Sequence, residues 1–166
     1  PIRRSAIAPR FRPMHRGVMP VLILMRHAKA VREHEAPSDR ARGLTPRGRR
    51  EAALAAQAMR DRGHAPQSVL ASNAVRTVET AVIVGGVVAP TAELTYVDDL
   101  YLASAETIWS EALPSASSTE KSVLVVGHNP GLHELAIMLI ERSGDRSQLA
   151  RAFLDDMPTS AWTAFE

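Results

Sequence analysis

The sequence predicts a single α/β domain, built as a three-layer α/β/α sandwich with a mostly parallel central sheet. Its 166 residues are enough for one buried core. Short apolar runs alternate along the chain with segments of helical periodicity, which is the pattern of a sheet layered by helices. Residues 122–126 are apolar apart from Ser122, as expected of a central parallel strand buried on both faces.

The first predicted strand and helix are marked by clear local signals. Residues 21–25 form the first apolar run. Thr45 followed by Pro46 is the pattern of an N-cap with proline at the first helical position. A helix is therefore expected from Pro46 to about Arg62, where Gly63 ends it. The apolar residues expected on one face of this helix are Leu54, Ala55, Ala58 and Met59.

A second strand and helix follow, and then a third strand. Residues 68–71 predict a short strand, and residues 94–97 predict another. Between them, valines recur at helical spacing after Ser72, until Gly85 and Gly86 are expected to break the helix. These valines are Val75, Val78 and Val82.

The second half of the chain continues the alternation. A helix is predicted before a polar loop at residues 114–121, and its apolar stripe comprises Ala105, Ile108, Trp109, Ala112 and Leu113. After the buried run at 122–126, Asn129 and Pro130 are expected to cap a further helix. The apolar positions of that helix are Leu132, Leu135, Ala136 and Leu139. Residues 161–165 predict a last strand.

The positive charge of the chain is concentrated at one end. The formal net charge is +2, yet residues 1–18 hold five arginines and no acidic residue, which leaves 20 − 5 = 15 basic against 18 acidic residues elsewhere. Three prolines and the lack of apolar periodicity predict that residues 1–18 are a flexible basic leader and residues 19–166 the folded domain. Because the domain itself is mildly acidic, no nucleic-acid partner is expected for it.

Composition excludes several classes of protein and site. No apolar run approaches the roughly 20 residues that a bilayer needs, so no membrane span is expected. The chain has no cysteine, which removes disulfides and thiolate metal sites and fits a reducing, cytoplasmic location. His128 and His133 lie five apart with no further ligand in the pattern, so neither a metal nor another cofactor is expected.

Polar residues cluster where predicted strands end. Arg26 and His27 follow the first strand, Arg76 lies one turn into the helix after the second, and His128 follows the buried strand. Open α/β sheets bind ligands at the carboxyl ends of their strands, so these four side chains are expected to meet in one crevice. Two guanidinium groups match phosphate oxygens and a neutral imidazole can attack phosphorus, so the crevice suits a phosphoryl group. Asn129, at the adjacent helix start, is expected to help bind it.

Three segments in this order, LILMRHAKA, SNAVRTVET and VLVVGHNPGL, resemble the histidine phosphatase superfamily. The stretches RHAKA, ARGLTPRG, GHNPGL and MPTSA narrow the resemblance to SixA-like phosphohistidine phosphatases. It covers the chain from about Met19 to Phe165 and implies a phosphoglycerate mutase-like fold. Asn73 and Gly43 depart from the family pattern, which usually has proline at both positions, and these changes affect loop stiffness more than chemistry.

The resemblance implies roles for matching positions. His27 would be the nucleophile that becomes phosphorylated, and Arg26, Arg76 and His128 would hold the phosphoryl oxygens. Arg42, Thr159 and Ser160 match family segments near the pocket and are secondary candidates for substrate binding. Lys29, just beyond the nucleophile, is expected to add positive potential at the mouth. The expected mechanism requires one nitrogen of His27 to donate to a backbone carbonyl, so that the other has a free lone pair.

The chemistry of the leaving group helps to predict the class of substrate. Larger members of the superfamily that cleave alkyl phosphates use a carboxylate to protonate the leaving oxygen, and no such acid is evident here. Asp99 is the best of the available candidates. A phosphohistidine leaves more easily once its ring is protonated. Too few residues separate Arg76 from His128 for a cap domain, so an open pocket that admits a phosphorylated protein is expected.

Phosphohistidine of a signalling or phosphocarrier protein is therefore the preferred substrate. Two alternatives stay open: the same four residues acting on small phosphate esters, and a module that binds phosphate or phosphohistidine without turnover. The sequence does not determine an oligomeric state.

Overall fold

The computed structural model describes residues 21–116, 122–144, 147 and 153–165. The predicted leader at residues 1–18 and most of the polar loop predicted up to residue 121 lie outside these ranges. Within them, no helix is both long and apolar enough to cross a bilayer.

The described strands form one five-stranded sheet. Their bounds are β1 Leu22–Arg26, β2 Ser68–Ser72, β3 Glu93–Val97, β4 Val123–Gly127 and β5 Trp162–Phe165. The strand order is β3-β2-β4-β1-β5, and every neighbouring pair is parallel except β1 and β5, which are antiparallel. The mostly parallel sheet and its five strands confirm the sequence prediction. Strands β1 and β4 lie at the interior of the sheet, side by side.

In the described part of the chain, four longer helices cover the two faces of the sheet. Their bounds are α1 Pro46–Asp61, α2 Val75–Val88, α3 Ala105–Ala116 and α4 Gly131–Ser143. Alternate residues of the strands point to opposite faces, so Ile23 and Leu124 pack against α1 and α2, whereas Leu24 and Val125 pack against α3 and α4. This is the predicted three-layer sandwich, with one apolar core on each side of the sheet.

Helix α1 begins as the sequence predicts. The side chain of Thr45 accepts a hydrogen bond from the amide of Gly48 at 3.0 Å, and Pro46 occupies the first turn. Gly63 follows the helix with φ +80°, a conformation that favours glycine. The predicted apolar face is wrong at Leu54, which is 71% exposed. The buried stripe runs instead through mostly small residues, namely Gly48, Ala52, Ala55 and Ala56, together with Met59.

Two predicted helix ends are also wrong. Helix α2 continues through Gly85 and Gly86 to Val88, because burial of Val84 and Val88 in the core offsets the roughly 1 kcal/mol that a helical glycine costs. Helix α3 includes Pro114 and ends at Ala116. A proline in the last turn removes one hydrogen bond, which is a smaller loss than in mid-helix.

Candidate active site

The site forms where β1 and β4 end side by side. Arg26 is in register with Gly127, and the amide of His27 donates to the carbonyl of Gly127 at 3.1 Å. The residues that directly follow the two strands, His27 and His128, therefore face each other with ring centroids 5.3 Å apart. The pairing of β1 with β4 therefore brings the two histidines together at this edge of the sheet, as the sequence predicts.

His27 is held in a single orientation by its own neighbours. Its Nδ1 lies 2.8 Å from the carbonyl of Ala28, so Nδ1–H donates and Nε2 has a free lone pair on the other side of the ring. Burial lowers the pKa of His27 to about 4, and the positive charges of Arg76, Arg26 and Arg42 act in the same direction. The imidazole is therefore neutral at physiological pH, which is the form that can act as a nucleophile.

Arg76 is brought to the site by the first turn of α2 and is 3% exposed. Its Nη1 donates to the carbonyl of Asp39 at 2.6 Å, and its Nη2 donates to the Asp39 carboxylate at 2.8 Å. Nε is buried with no partner in the described part of the chain. Such a guanidinium is fixed in place and still has a donor to offer an anion.

His128 is 2% exposed and contacts protein groups through both ring nitrogens. Nε2 lies 2.9 Å from Oγ of Ser72, and Nδ1 lies 3.3 Å from Nη2 of Arg76. Since a guanidinium can only donate, Nδ1 accepts and Nε2–H donates to the serine. Burial, reinforced by the charge of Arg76, lowers the pKa of His128 to about 3, so this ring too is neutral.

Arg26 and Asn129 are both tied to the segment before β5. Nη1 of Arg26 donates to the carbonyl of Met157 at 2.8 Å, and the amide nitrogen of Asn129 donates to the same carbonyl at 3.1 Å. Asn129 therefore does not cap α4 as predicted. The N-cap position is Pro130, which has no side-chain hydrogen bond, because the side chain of Asn129 is used to hold the 157–161 segment against the site.

The four core candidates, Arg26, His27, Arg76 and His128, line one cavity of about 280 Å³. Arg42, Lys29, Asn129 and Thr159, predicted as secondary substrate-binding residues, line it too. Nε of Arg42 donates to the carbonyl of Val31 at 2.8 Å, and its Nη1 bonds Asp39 at 2.8 Å. The cavity is strongly cationic as a result, which suits a phosphoryl group.

Two predicted site residues do not line this cavity. Ser160 lines a neighbouring groove with Leu54 and Trp162, and its contribution to the site is an amide that donates to the carbonyl of His27 at 3.2 Å. Asp99 is exposed in the 3-10 turn Asp98–Leu100 after β3. That strand is at the edge of the sheet, separated from β4 by β2 and from β1 by β2 and β4, and Asp99 is not among the residues that line the cavity.

Asp39 and Tyr101 were missed by sequence reasoning. Asp39 lines the cavity and bonds Arg42, Arg76 and the hydroxyl of Tyr101, the last at 2.6 Å. These bonds hold the pKa of Asp39 well below its usual range, and the bond from Tyr101 has the largest effect. The Tyr101 ring also packs edge-on against His128 with centroids 5.5 Å apart. The one sequence signal for Asp39 is its spacing of three residues from Arg42, and Tyr101 has none.

The arrangement is suited to binding and transferring a phosphoryl group. It combines a neutral imidazole with a free lone pair, fixed guanidinium groups around it and a second buried imidazole. Among the described residues, no three histidine, aspartate or glutamate side chains cluster as they would to hold a metal ion.

Comparison with known proteins agrees with this chemistry. Residues 22–101 match the model of the histidine phosphatase superfamily, branch 1. An uncharacterized protein of Mycobacterium tuberculosis is 36% identical over 136 residues, which is 82% of this chain and 82% of that protein.

Solved structures extend the likeness. A candidate phosphohistidine phosphatase SixA from Agrobacterium tumefaciens is similar with a TM-score of 0.75 and 28% identity, covering 88% of this chain and 90% of that one. The protein histidine phosphatase SixA in complex with tungstate is similar with a TM-score of 0.64 and 25% identity, covering 72% of this chain and 76% of that one.

Proposed function

Because the chain belongs to the histidine phosphatase superfamily and is a phosphatase, we propose that it acts through a phosphohistidine intermediate on His27 and dephosphorylates phosphohistidine on a signalling or phosphocarrier protein. The observation that carries this proposal is the bond from Nδ1 of His27 to the carbonyl of Ala28 at 2.8 Å. It fixes the tautomer, so the lone pair of Nε2 is available to attack phosphorus.

The first step transfers the phosphoryl group to His27. A bond forms between Nε2 and phosphorus while the phosphorus–nitrogen bond of the substrate breaks, and its electron pair stays on the departing nitrogen. The substrate ring is protonated at its other nitrogen, so it leaves as a neutral imidazole. In the second step water attacks phosphorus, phosphate is released and Nε2 regains its lone pair.

Arg26, Arg76 and His128 stabilise the charge on the transferring group. That charge is spread over three equatorial oxygens, so fixed donors lower the barrier by position and not by proton transfer. His128 takes part by exchanging its tautomer: Ser72 can donate as well as accept. With a phosphoryl oxygen in the cavity, the serine hydroxyl donates to Nε2, and the bond between Nη2 of Arg76 and Nδ1 of His128 is replaced by bonds from both groups to that oxygen.

The acid–base groups around the cavity favour a nitrogen leaving group. Among the described residues that line it, Asp39 is the carboxylate, and its lowered pKa keeps it ionised, so it is no proton donor. Asp99 is exposed and does not line the cavity. Since an alkoxide leaves poorly without a proton and a protonated histidine ring does not need one, a phosphoramidate is the better substrate.

Access to the cavity agrees with a protein substrate. The described residues between Arg76 and His128 belong to α2, β3, α3, β4 and their connections, and none of these elements forms a domain above the cavity. A phosphorylated side chain on the surface of a folded protein can therefore approach His27.

The test is phosphate release from a phosphohistidine protein and, in parallel, from a small alkyl phosphate, by the native protein and by His27→Ala. We expect release from the phosphohistidine protein by the native enzyme and none by the variant. Release from the alkyl phosphate alone would assign the protein to small phosphate esters. No release from either, with phosphate still bound, would indicate a binding module and would contradict the proposal.

A further inference from the structure

Leu102 is an exposed, strained residue at the rim of the cavity. It is 53% exposed and is among the residues that line the cavity. Its φ of +51° is in the left-handed region, where a residue with a Cβ is held at a cost of roughly 1 kcal/mol or more. Burial does not account for a leucine at this position, and neither does backbone preference.

The neighbours of Leu102 fix this conformation. Tyr101 bonds Asp39 on one side. On the other, the carbonyl of Ala103 faces Gly131 so closely that a Cβ at Gly131 would lie 1.9 Å from it. Because both neighbours are anchored against the site, the side chain between them is directed outward at the mouth of the cavity in a defined position.

Leu102 also differs in chemistry from its surroundings. The rest of the lining is largely charged or polar, with Arg26, Arg42 and Lys29 among it. Those groups can bind the phosphoryl oxygens of a substrate, but they do not favour contact with its apolar parts. An exposed leucine side chain is stabilised when it is buried from water. Packing against an apolar part of a substrate at the rim would bury it.

We propose that Leu102 determines substrate specificity by packing against an apolar side chain next to the phosphohistidine of the protein substrate. This inference rests on the proposed function and deepens it, since it defines what must flank the phosphorylated residue. Burial of about half of a leucine side chain corresponds to about a fivefold preference in kcat/KM.

The experiment compares two phosphohistidine peptides, one with leucine and one with serine on each side of the phosphorylated residue. The measured quantity is the ratio of their kcat/KM values for each enzyme. We expect a ratio of about five for the native protein and a ratio near one for Leu102→Asn. Asparagine tolerates the left-handed region, so this variant keeps the backbone. Leu102→Gly, which relieves the strain and lacks a side chain, is expected to behave in the same way.

Val82→Asn is the matched control. Val82 is 52% exposed on α2 and does not line the cavity, so this variant is expected to keep the native ratio. A native ratio near one, or a ratio that survives in both Leu102 variants, overturns the inference while the proposed function stands. If the native protein dephosphorylates neither peptide nor a phosphohistidine protein, the proposed function fails and this inference with it.

Discussion

At the scale of single residues, the two histidines of the site have opposite hydrogen-bond roles. His27 donates through Nδ1 to a backbone carbonyl, and His128 donates through Nε2 to Ser72. Both pKa values are lowered, to about 4 and about 3, with burial as the main cause. Under the proposed function, the same residue type therefore acts as a nucleophile at one position and as a hydrogen-bond donor at the other.

This difference is open to direct measurement. In the free protein we expect ¹⁵N NMR to show His27 with its proton on Nδ1 and His128 with its proton on Nε2, both neutral down to about pH 5. On saturation with inorganic phosphate, the proton of His128 is expected to move to Nδ1. Protonation of either ring near pH 6.5, the ordinary value for histidine, would contradict the electrostatic account of the site.

Ser72 offers a second test at this scale. It is fully buried, and its hydroxyl is bonded to His128 and accepts from the amide of Ala74 at 3.3 Å, so Ser72→Ala leaves two buried donors without this partner. We expect the free energy of unfolding to fall by about 1–3 kcal/mol and kcat/KM to fall by about tenfold, which corresponds to the loss of roughly one hydrogen bond, about 1.4 kcal/mol.

Ser68→Ala on the same strand is its control. The hydroxyl of Ser68 is buried but has no hydrogen-bond partner among the described residues, so no bond is lost there. Urea unfolding and phosphate release should both stay near native values. Equal losses in the two variants would show that the effect at Ser72 is one of strand packing and not of the bond to His128.

At the scale of elements, two helical glycines have different surroundings, because Gly86 is exposed on α2 and Gly131 is buried at the start of α4. A Cβ at Gly86 in α2 would meet nothing within 4 Å, whereas a Cβ at Gly131 in α4 would lie 1.9 Å from the carbonyl of Ala103. Helix α4 is therefore packed by backbone contact against the segment that carries Tyr101 and Leu102, and α2 has free space around its late glycine.

Alanine at these two glycines should have opposite effects. Gly86→Ala is expected to raise the free energy of unfolding by about 0.5–1 kcal/mol, because alanine loses less backbone entropy in a helix. Gly131→Ala is expected to lower it by about 1–3 kcal/mol through overpacking. Denaturant unfolding measures both, and a stable Gly131→Ala would show that α4 is free to shift away from Ala103.

At the scale of the whole molecule, the buried site makes stability depend on pH. His27 and His128 have pKa values lowered from 6.5 to about 4 and about 3. The unfolded chain takes up protons near pH 6.5 while the folded protein does not, so acid favours unfolding. The stabilisation is present above pH 6.5 and is lost as the pH falls towards the two folded values.

Each of the two rings contributes a slope of at most about 1.4 kcal/mol per pH unit between pH 6 and 4. Urea unfolding at pH 7, 6, 5 and 4 measures the combined slope of the free energy of unfolding. In His27→Ala this slope should be smaller by the contribution of one ring. A free energy of unfolding that stays constant from pH 7 to 5 would show that the rings take up protons in the folded state.

The sequence by itself determined the succession of strands and helices along the chain. It also identified four residues that lie together at the site, namely Arg26, His27, Arg76 and His128. The reason is that these features depend on local signals. Apolar runs mark buried strands, Thr45 and Pro46 mark a helix start, and the carboxyl ends of adjacent parallel strands must lie together.

Other features were decided by the tertiary structure alone. Burial of Val88 carries α2 past two glycines, and close packing of small residues turns Leu54 to solvent. The site gains Asp39 and Tyr101 from two loops, and Asp99 is left at the sheet edge. Each of these depends on contacts between residues far apart in the chain, whose free energies exceed the local preferences that a sequence pattern records.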